Sequence, residues 1–360
     1  MKFIHCSDLH LGSKLNDLSL EQRKRRKEEL ISTFERLCDY ATENEVTAVI
    51  IAGDVFDSDK ISEKLLLRVL NAIEKNYGVD FLYLAGNHEL NALLDNSDRF
   101  PKNLKFFTDE WTCFKYGDIT VSGVLLTKKN STLIYDTLKL SPDNVNVVTM
   151  HGQVAGYKMK EDAHVISLPM LKEKNVDYLA LGHYHTFADG EIDYRGRYAY
   201  SGCLDGRGFD EIGKKGFVLI EIENKKLSYN FVEFCSRVIY EAKFDVTGEN
   251  NFAKFKDKLI SVLVNNVAQT DIVKVVLTGE KQPEFEIDLE SLNYKLNEKF
   301  FYAKIVDKTS LLVRLEDYAL DKSVRGEFVR ILLESDLPKE TKDAVLSMGL
   351  SALKGELNEN

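Results

Sequence analysis

His183 and His185 stand two residues apart, directly behind the apolar run Tyr178-Leu179-Ala180-Leu181 and a glycine. Beyond a strand end, alternate side chains tend to point the same way, so the pair offers two imidazoles to one metal ion. The competing reading is a polar loop in which a backbone carbonyl holds one histidine. The same arrangement recurs along the chain. Asp8 and His10 follow KFIHC, and Gly53-Asp54-Val55-Phe56-Asp57 follows VTAVIIA. Gly86-Asn87-His88-Glu89 follows DFLYLA, and Met150-His151-Gly152 closes another apolar run. Each motif alone has a turn explanation, with Gly for positive φ and Asp or Asn for caps. As an ordered set they deliver Asp, His and Asn to strand ends, and in open α/β sheets ligands bind outside the carboxyl ends of strands. Of the seven histidines only His5, read as a core residue, and His164, read as a surface loop residue, lie elsewhere. Imidazole, carboxylate and amide oxygen without thiolate suit Mn²⁺, Fe²⁺ or Zn²⁺. Seven of these donors, Asp8, His10, Asp54, Asn87, His151, His183 and His185, exceed what one tetrahedral ion takes. They suit two ions about 3.5–4 Å apart that share a carboxylate.

The elements that must position these residues are legible as strand–helix–strand–helix–strand, the pattern of α/β layering. Strands are expected at 2–6, 47–53 and 80–86, with helices at 19–44 and 62–76 between them. Ser19 and Gln22 make a capping-box pattern, and Leu30, Phe34, Leu37, Cys38 and Ala41 share one helix face. Further strands are expected near 119–125, 144–149 and 176–181, followed by an antiparallel meander through RYAYSG, GFVLIEI and KLSYNFVEF. From about residue 238 a smaller β-α-β-α-β unit follows, and the last forty residues read as two helices. Val324, Phe328, Ile331 and Leu332 stripe the first. Pro338 opens the second, which carries Val345, Met348 and Ala352.

A chain of 360 residues with 44% hydrophobic composition can bury about two domains. Five prolines argue against disorder. The opening MKFIHCSDLH lacks the apolar core of a signal peptide, and no run reaches the ~18–20 residues of a membrane span. Five scattered cysteines, none in C-x-x-C, fit free thiols in a reducing cytoplasm. The net charge of −10 offers no global basic footprint, so a nucleic-acid substrate would have to rely on bound cations and local basic groups. One local candidate is the run Arg23-Lys24-Arg25-Arg26-Lys27, which otherwise reads as a solvated helix start.

The ordered set D-x-H, GD-x-x-D, GNH[DE], H, GH-x-H resembles the calcineurin-like metallophosphoesterase superfamily. The opening FIHCSDLHLGSKL and the later SGCLDGRGFDEIGKKGF are similar to the SbcD-type DNA repair exonucleases, including their YhaO-like branch. The resemblance implies an α/β, α+β layered fold: a β-sandwich core flanked by helices, a small α+β capping domain and a helical tail. The corresponding boundaries are 1–236 for the nuclease domain, 237–320 for a capping, DNA-binding domain and 321–360 for the tail. It also implies that Asp8, His10, Asp54 and His185 hold one ion, and that Asp54, Asn87, His151 and His183 hold the other, with Asp54 as bridge. A water between two Mn²⁺ ions is then the nucleophile. His88 faces the substrate and serves as general acid or stabilises charge on the leaving oxygen, and Glu89 stands where many relatives carry Asp and orients His88. Asp57 is read as a supporting or turn residue. Arg207, between two glycines, is a candidate phosphate contact. Tyr184 either stacks on a base or sugar or faces the core.

The activity implied is Mn²⁺-dependent hydrolysis of DNA in repair, as a 3′→5′ exonuclease with single-strand endonuclease activity. The implied partners are a second copy of the chain and an SbcC-like coiled-coil ATPase, for which the tail helices are a docking surface unless their stripes pack on their own domain. The alternative is a small-molecule phosphodiesterase of the same superfamily, acting on cyclic nucleotides or nucleotides. A non-catalytic scaffold is disfavoured because the full set of ligand types is present.

Overall fold

The computed structural model describes residues 1–58, 60–85, 99–155, 164–282, 285–312, 318 and 320–354. The chain divides into two compact units, Met1–Val238 and Ile239–Asn360.

In the first unit, β1 (Lys2–Cys6), β2 (Val46–Ala52), β3 (Asp80–Leu84) and β4 (Leu104–Phe106) run parallel to one another. The second sheet is built from β5 (Thr112–Tyr116), β6 (Ile119–Gly123) and β7 (Val145–His151). After the two-residue strands β8 (Gln153–Val154) and β9 (Val165–Ile166) it continues with β10 (Tyr178–Gly182), β11 (Ala188–Glu191) and β12 (Arg197–Tyr200). The chain then returns to the first sheet through β13 (Gly216–Glu223), antiparallel to β1, and β14 (Lys226–Glu233). The two six-stranded orders are β14-β13-β1-β2-β3-β4 and β11-β12-β10-β7-β6-β5. The layered α/β sandwich expected from the sequence is therefore present. The sequence reading missed β4, β5 and β11, which have only three to five residues and no fully buried one.

Strand periodicity explains the layering. In β2, Ala48 and Ile50 pack between the sheets with Phe3, Leu82, Val147, Tyr178 and Val218. The next residue, Ile51, turns to the outer layer of α1 (Leu20–Glu43) and α2 (Glu63–Lys75), where Phe34, Leu66, Val69, Leu70 and Ile73 meet it. Ser19 and Gln22 cap α1 reciprocally, as their spacing predicts. His5 lies fully buried between the sheets, with Nδ1 3.0 Å from Tyr178 Oη and Nε2 3.1 Å from Leu181 O. Burial pulls its pKa down to about 3, so it is a neutral core group, as read from sequence. The five cysteines are free thiols.

In the basic run at the start of α1, Lys24, Arg25 and Lys27 are exposed, as a solvated helix start requires, and Arg26 departs from both readings. Arg26 is completely buried. Its guanidinium pairs with Asp205, reaches Glu29 at 3.3 Å and donates to Ser236 Oγ at 2.6 Å. It is neither solvated nor free for phosphate, and it ties α1 to the segment before β13 and to the end of the unit. Removing one partner of a buried pair strands the other charge, at a cost of roughly 3–5 kcal/mol. Arg26→Ala should therefore lower unfolding stability by that amount in urea titration, and Arg26→Met by less.

In the second unit, β15 (Ile239–Asp245), β16 (Ile272–Thr278) and, after the two-residue β17 (Glu280–Lys281), β18 (Tyr302–Asp307) form a parallel three-stranded sheet. Helices Phe252–Asn266 and Leu289–Asn297 cover one face through Phe255, Leu259, Leu292 and Leu296. The short β19 (Ser310–Leu311) pairs with β17. The helices Val324–Glu334 and Lys339–Lys354 pack through Val329, Leu332, Leu346 and Leu350, with Leu311 against them. Their phase differs from the expected stripe. Leu332 is buried and Phe328 partly so, but Val324, Ile331 and Met348 are exposed. Contact with Leu311 and Tyr318 selects the face that carries Val329. Among the described residues, no helix is long and apolar enough to cross a membrane.

Candidate metal centre

Adjacent carboxyl ends of β1 and β2 hand over to loops that are laddered together. Asp8 N donates to Gly53 O (3.0 Å), His10 N to Asp54 O (2.9 Å) and Leu11 N to Val55 O (2.7 Å). Asp8, His10 and Asp54 have φ of 52°, 43° and 54°, and His183 has 102°. Backbone of this kind costs on the order of 1–3 kcal/mol per residue and persists only where its surroundings enforce it. From the other sheet, β7 ends in His151 and β10 in Gly182. A Cβ on Gly182 would overlap Ala52 O and come within 2.8 Å of His151 Nδ1 and 2.9 Å of Ser7 Cβ. Only glycine lets the ends of the two sheets meet this closely.

Two overlapping groups result. One atom each from Asp8, His10 and His185 lies within 4.8 Å of the others, and so does one each from Asp8, Asp54 and His151. Asp54 Oδ2 stands 3.7 Å from His10 Nε2 and 3.4 Å from His151 Nε2, between the groups. His183 donates its backbone N–H to both Asp8 oxygens at 3.0 Å, and its ring lies 5.6 Å from that of His151. Asp8, His10, Asp54 and His151 are buried. Asn87, His88 and Glu89 lie outside the described residues.

The ring orientations suit metal binding. Ala52 O is 2.8 Å from His151 Nδ1, and a carbonyl only accepts, so Nδ1 carries hydrogen and Nε2 faces Asp54. Nε2 is buried and, among the described residues, lacks hydrogen-bond geometry to any acceptor. His10 and His185 present their Nε2 atoms to each other at 3.3 Å. Two ligand nitrogens at right angles around an ion at about 2.0–2.1 Å stand about 3 Å apart, so this spacing fits shared coordination. Burial, then the Arg207 charge, pulls His10 down to about 3, which keeps the ring neutral with one nitrogen lone pair available. Burial opposes charge on His151, but the Asp54 and Asp8 carboxylates outweigh it and push its pKa up to about 9. Burial pushes the Asp8 carboxyl up, against the pull of His151 and His185. The pocket demands a cation: it draws a proton onto His151, and a divalent ion would meet the same demand.

Asp57 Oδ1 accepts from Ser13 Oγ (3.0 Å) and Arg207 Nη1 (3.2 Å) and lies 3.7 Å from His10 Nδ1. Arg207 lies beside the centre, with its guanidinium on Glu211, Asp57, Ser13 and His185. Tyr184 is 45% exposed and meets Tyr200 edge-on at 5.7 Å, so it faces outward rather than into the core. Sequence reasoning missed Glu211, whose Oε1 lies 2.8 Å from His185 Nδ1. It also missed the buried Lys215, which donates to His185 O at 2.8 Å. Both lie in SGCLDGRGFDEIGKKGF, the segment that supplied Arg207.

Residues 1–187 match the calcineurin-like phosphoesterase family model, and this span contains both groups. The chain belongs to the calcineurin-like phosphoesterase family. It is a metal-dependent phosphoesterase with the donors of a dinuclear centre at its strand ends. Among curated relatives, "DNA double-strand break repair protein Mre11" of Methanopyrus kandleri is 27% identical, over 100% of this chain and 84% of that protein. "Uncharacterized metallophosphoesterase YhaO" of Bacillus subtilis is 25% identical, over 78% of this chain and 74% of the relative. "DNA double-strand break repair protein Mre11" of Sulfurisphaera tokodaii is 24% identical, over 79% and 75%.

Proposed function

We propose that this phosphoesterase is a Mn²⁺-dependent two-metal phosphodiesterase that hydrolyses DNA in double-strand break repair, as a 3′→5′ exonuclease with single-strand endonuclease activity. One observation carries the substrate: the alignment with the Methanopyrus repair protein spans the whole chain, well past the family match that ends at residue 187. In this reading Asp8, His10, Asp54 and His185 hold one ion, and Asp54, Asn87, His151 and His183 hold the other. When bound, the two ions lower the pKa of a water that becomes the nucleophile and offset charge on the phosphate. Asp54, between His10 and His151, spaces the two halves of the centre. His88 delivers a proton to the leaving oxygen, and Glu89 orients it. Asp57 steadies His10, and Tyr184 offers an exposed ring to a base or sugar. The second unit caps the substrate. Alternation along its strands sets Lys274 and Lys304, paired in register, on the sheet face opposite core residues Val273, Val275 and Ala303. Lys274 is ion-paired there with Glu241 at 2.7 Å, and a DNA phosphate would have to replace that carboxylate. The enzyme works in the cytoplasm as a homodimer with an SbcC-like coiled-coil ATPase, and the exposed Val324, Ile331 and Met348 face that partner.

The test is incubation with an end-labelled DNA oligonucleotide and with bis-p-nitrophenyl phosphate, with and without Mn²⁺. Mn²⁺-dependent laddering is expected, shortening the DNA from its 3′ end. Cleavage of the small diester with DNA left intact, even in the presence of the ATPase, would move the assignment to a small-molecule phosphodiesterase.

A further inference from the structure

The segment 203–215 grips His185 at two points. The buried Lys215 donates from Nζ to the His185 carbonyl at 2.8 Å. Glu211, also buried, places Oε1 2.8 Å from His185 Nδ1. Glu211 is itself held by Arg207, which donates from its backbone N to Oε2 (2.6 Å), from Nε to Oε1 (3.1 Å) and from Nη2 to Oε1. Arg207 has only donors to give, so the carboxylate acts as acceptor throughout. The hydrogen between Glu211 and His185 then belongs to Nδ1. Arg207 Nη2 also comes within 3.2 Å of Nδ1. It could donate there only if Nδ1 were bare, and that would set the Nδ1 lone pair against the carboxylate at 2.8 Å. With hydrogen on Nδ1, the lone pair falls on Nε2, which faces His10 Nε2 at 3.3 Å and Asp8 Oδ1 at 3.7 Å.

We infer that Glu211 is the positioning residue of His185: a buried carboxylate, clamped by Arg207, that fixes the imidazole as the Nδ1–H tautomer and presents Nε2 to the metal. The inference rests on reading His185 as a ligand. It gives Arg207 a role different from phosphate binding. The guanidinium is engaged with Glu211 and Asp57. Its single positive charge cancels that of Glu211, so the Arg207–Glu211 clamp adds no net charge beside the two ligand carboxylates, while Asp57 keeps its own. A carboxylate behind a ligating histidine orients the ring and raises its basicity, and losing such a partner costs about 10–100-fold in metal affinity.

Nitrogen-15 NMR of the metal-free protein reads the tautomer directly, with the spectrum of His185→Gln assigning the signal. Nδ1–H is expected in the wild type, and a mixture of tautomers in Glu211→Ala. Equilibrium dialysis against Mn²⁺ alone should show two ions in the wild type. Glu211→Ala should hold one ion as before and the other about 10–100-fold more weakly. Glu211→Gln, whose amide oxygen still accepts, should recover part of that loss. An Nε2–H tautomer in wild-type His185 would overturn the inference whether or not Glu211→Ala folds. Unchanged Mn²⁺ binding by a folded Glu211→Ala protein would overturn it too. A wild-type protein with the Nδ1–H tautomer that bound no Mn²⁺ would overturn the proposed centre, and with it the purpose assigned to Glu211.

Discussion

Asp54→Asn should lose both ions and reduce phosphodiester cleavage to background. The expectation follows from where the carboxylate stands. One oxygen lies 3.7 Å from His10 Nε2 and 3.4 Å from His151 Nε2, so a single group serves histidines from both halves of the centre. The amide of asparagine has nearly the same shape but no charge, and one of its two oxygens is replaced by a donor that repels a cation. Asparagine is also the right replacement for the backbone. Asp54 has φ of 54°, a region that Asn tolerates far better than Ala. Asp54→Asn therefore changes the chemistry while leaving the loop in place, whereas Asp54→Ala adds a backbone penalty. Metal ions supply several kcal/mol of charge stabilisation to such a reaction. Their loss should lower kcat/KM on the order of 10³-fold or more. Elemental analysis of the dialysed variant, with circular dichroism to check the fold, makes the measurement. A folded Asp54→Asn protein that keeps two ions and near-wild-type activity would sink the two-metal reading.

The centre was legible in the sequence because its parts are local. Each donor follows an apolar run of strand length, and Asp8, His10, Asp54, His151 and His185 are indeed brought to one place by the order of strands in two sheets. What escaped was whatever depends on contacts distant in sequence. Arg26 reads as one cation in a basic run, yet Asp205 lies 179 residues away and turns it into a buried ion. Glu211 looks like one acid among many until the fold sets it behind His185. Arg207 was noticed for the glycines beside it, which suggest close approach to a ligand, but its guanidinium is engaged by the protein itself. The tail stripe failed for a related reason. Heptad-like spacing shows that a helix has an apolar side, but which residues of that side are buried depends on the neighbour. Here the neighbour is Leu311 with Tyr318.

His88→Ala should keep both ions and lose most turnover on DNA. The assignment of His88 as acid is what the resemblance of its GNH[DE] motif to the calcineurin-like phosphoesterases implies. A positioned general acid is worth about 10²–10⁴-fold, so kcat on DNA should fall by that factor while metal content stays at the wild-type level. The leaving group discriminates between roles. Expelling a sugar oxygen from DNA needs a proton, because an alkoxide is a poor leaving group. Expelling p-nitrophenolate does not. The variant should therefore lose far less activity on bis-p-nitrophenyl phosphate than on DNA, and the gap between the two losses measures the proton transfer. Equal losses on both substrates would mean that His88 stabilises charge on the phosphate itself rather than protonating the leaving oxygen. Loss of an ion from the variant would make His88 a ligand, and the division of donors between the two ions would have to be redrawn around it.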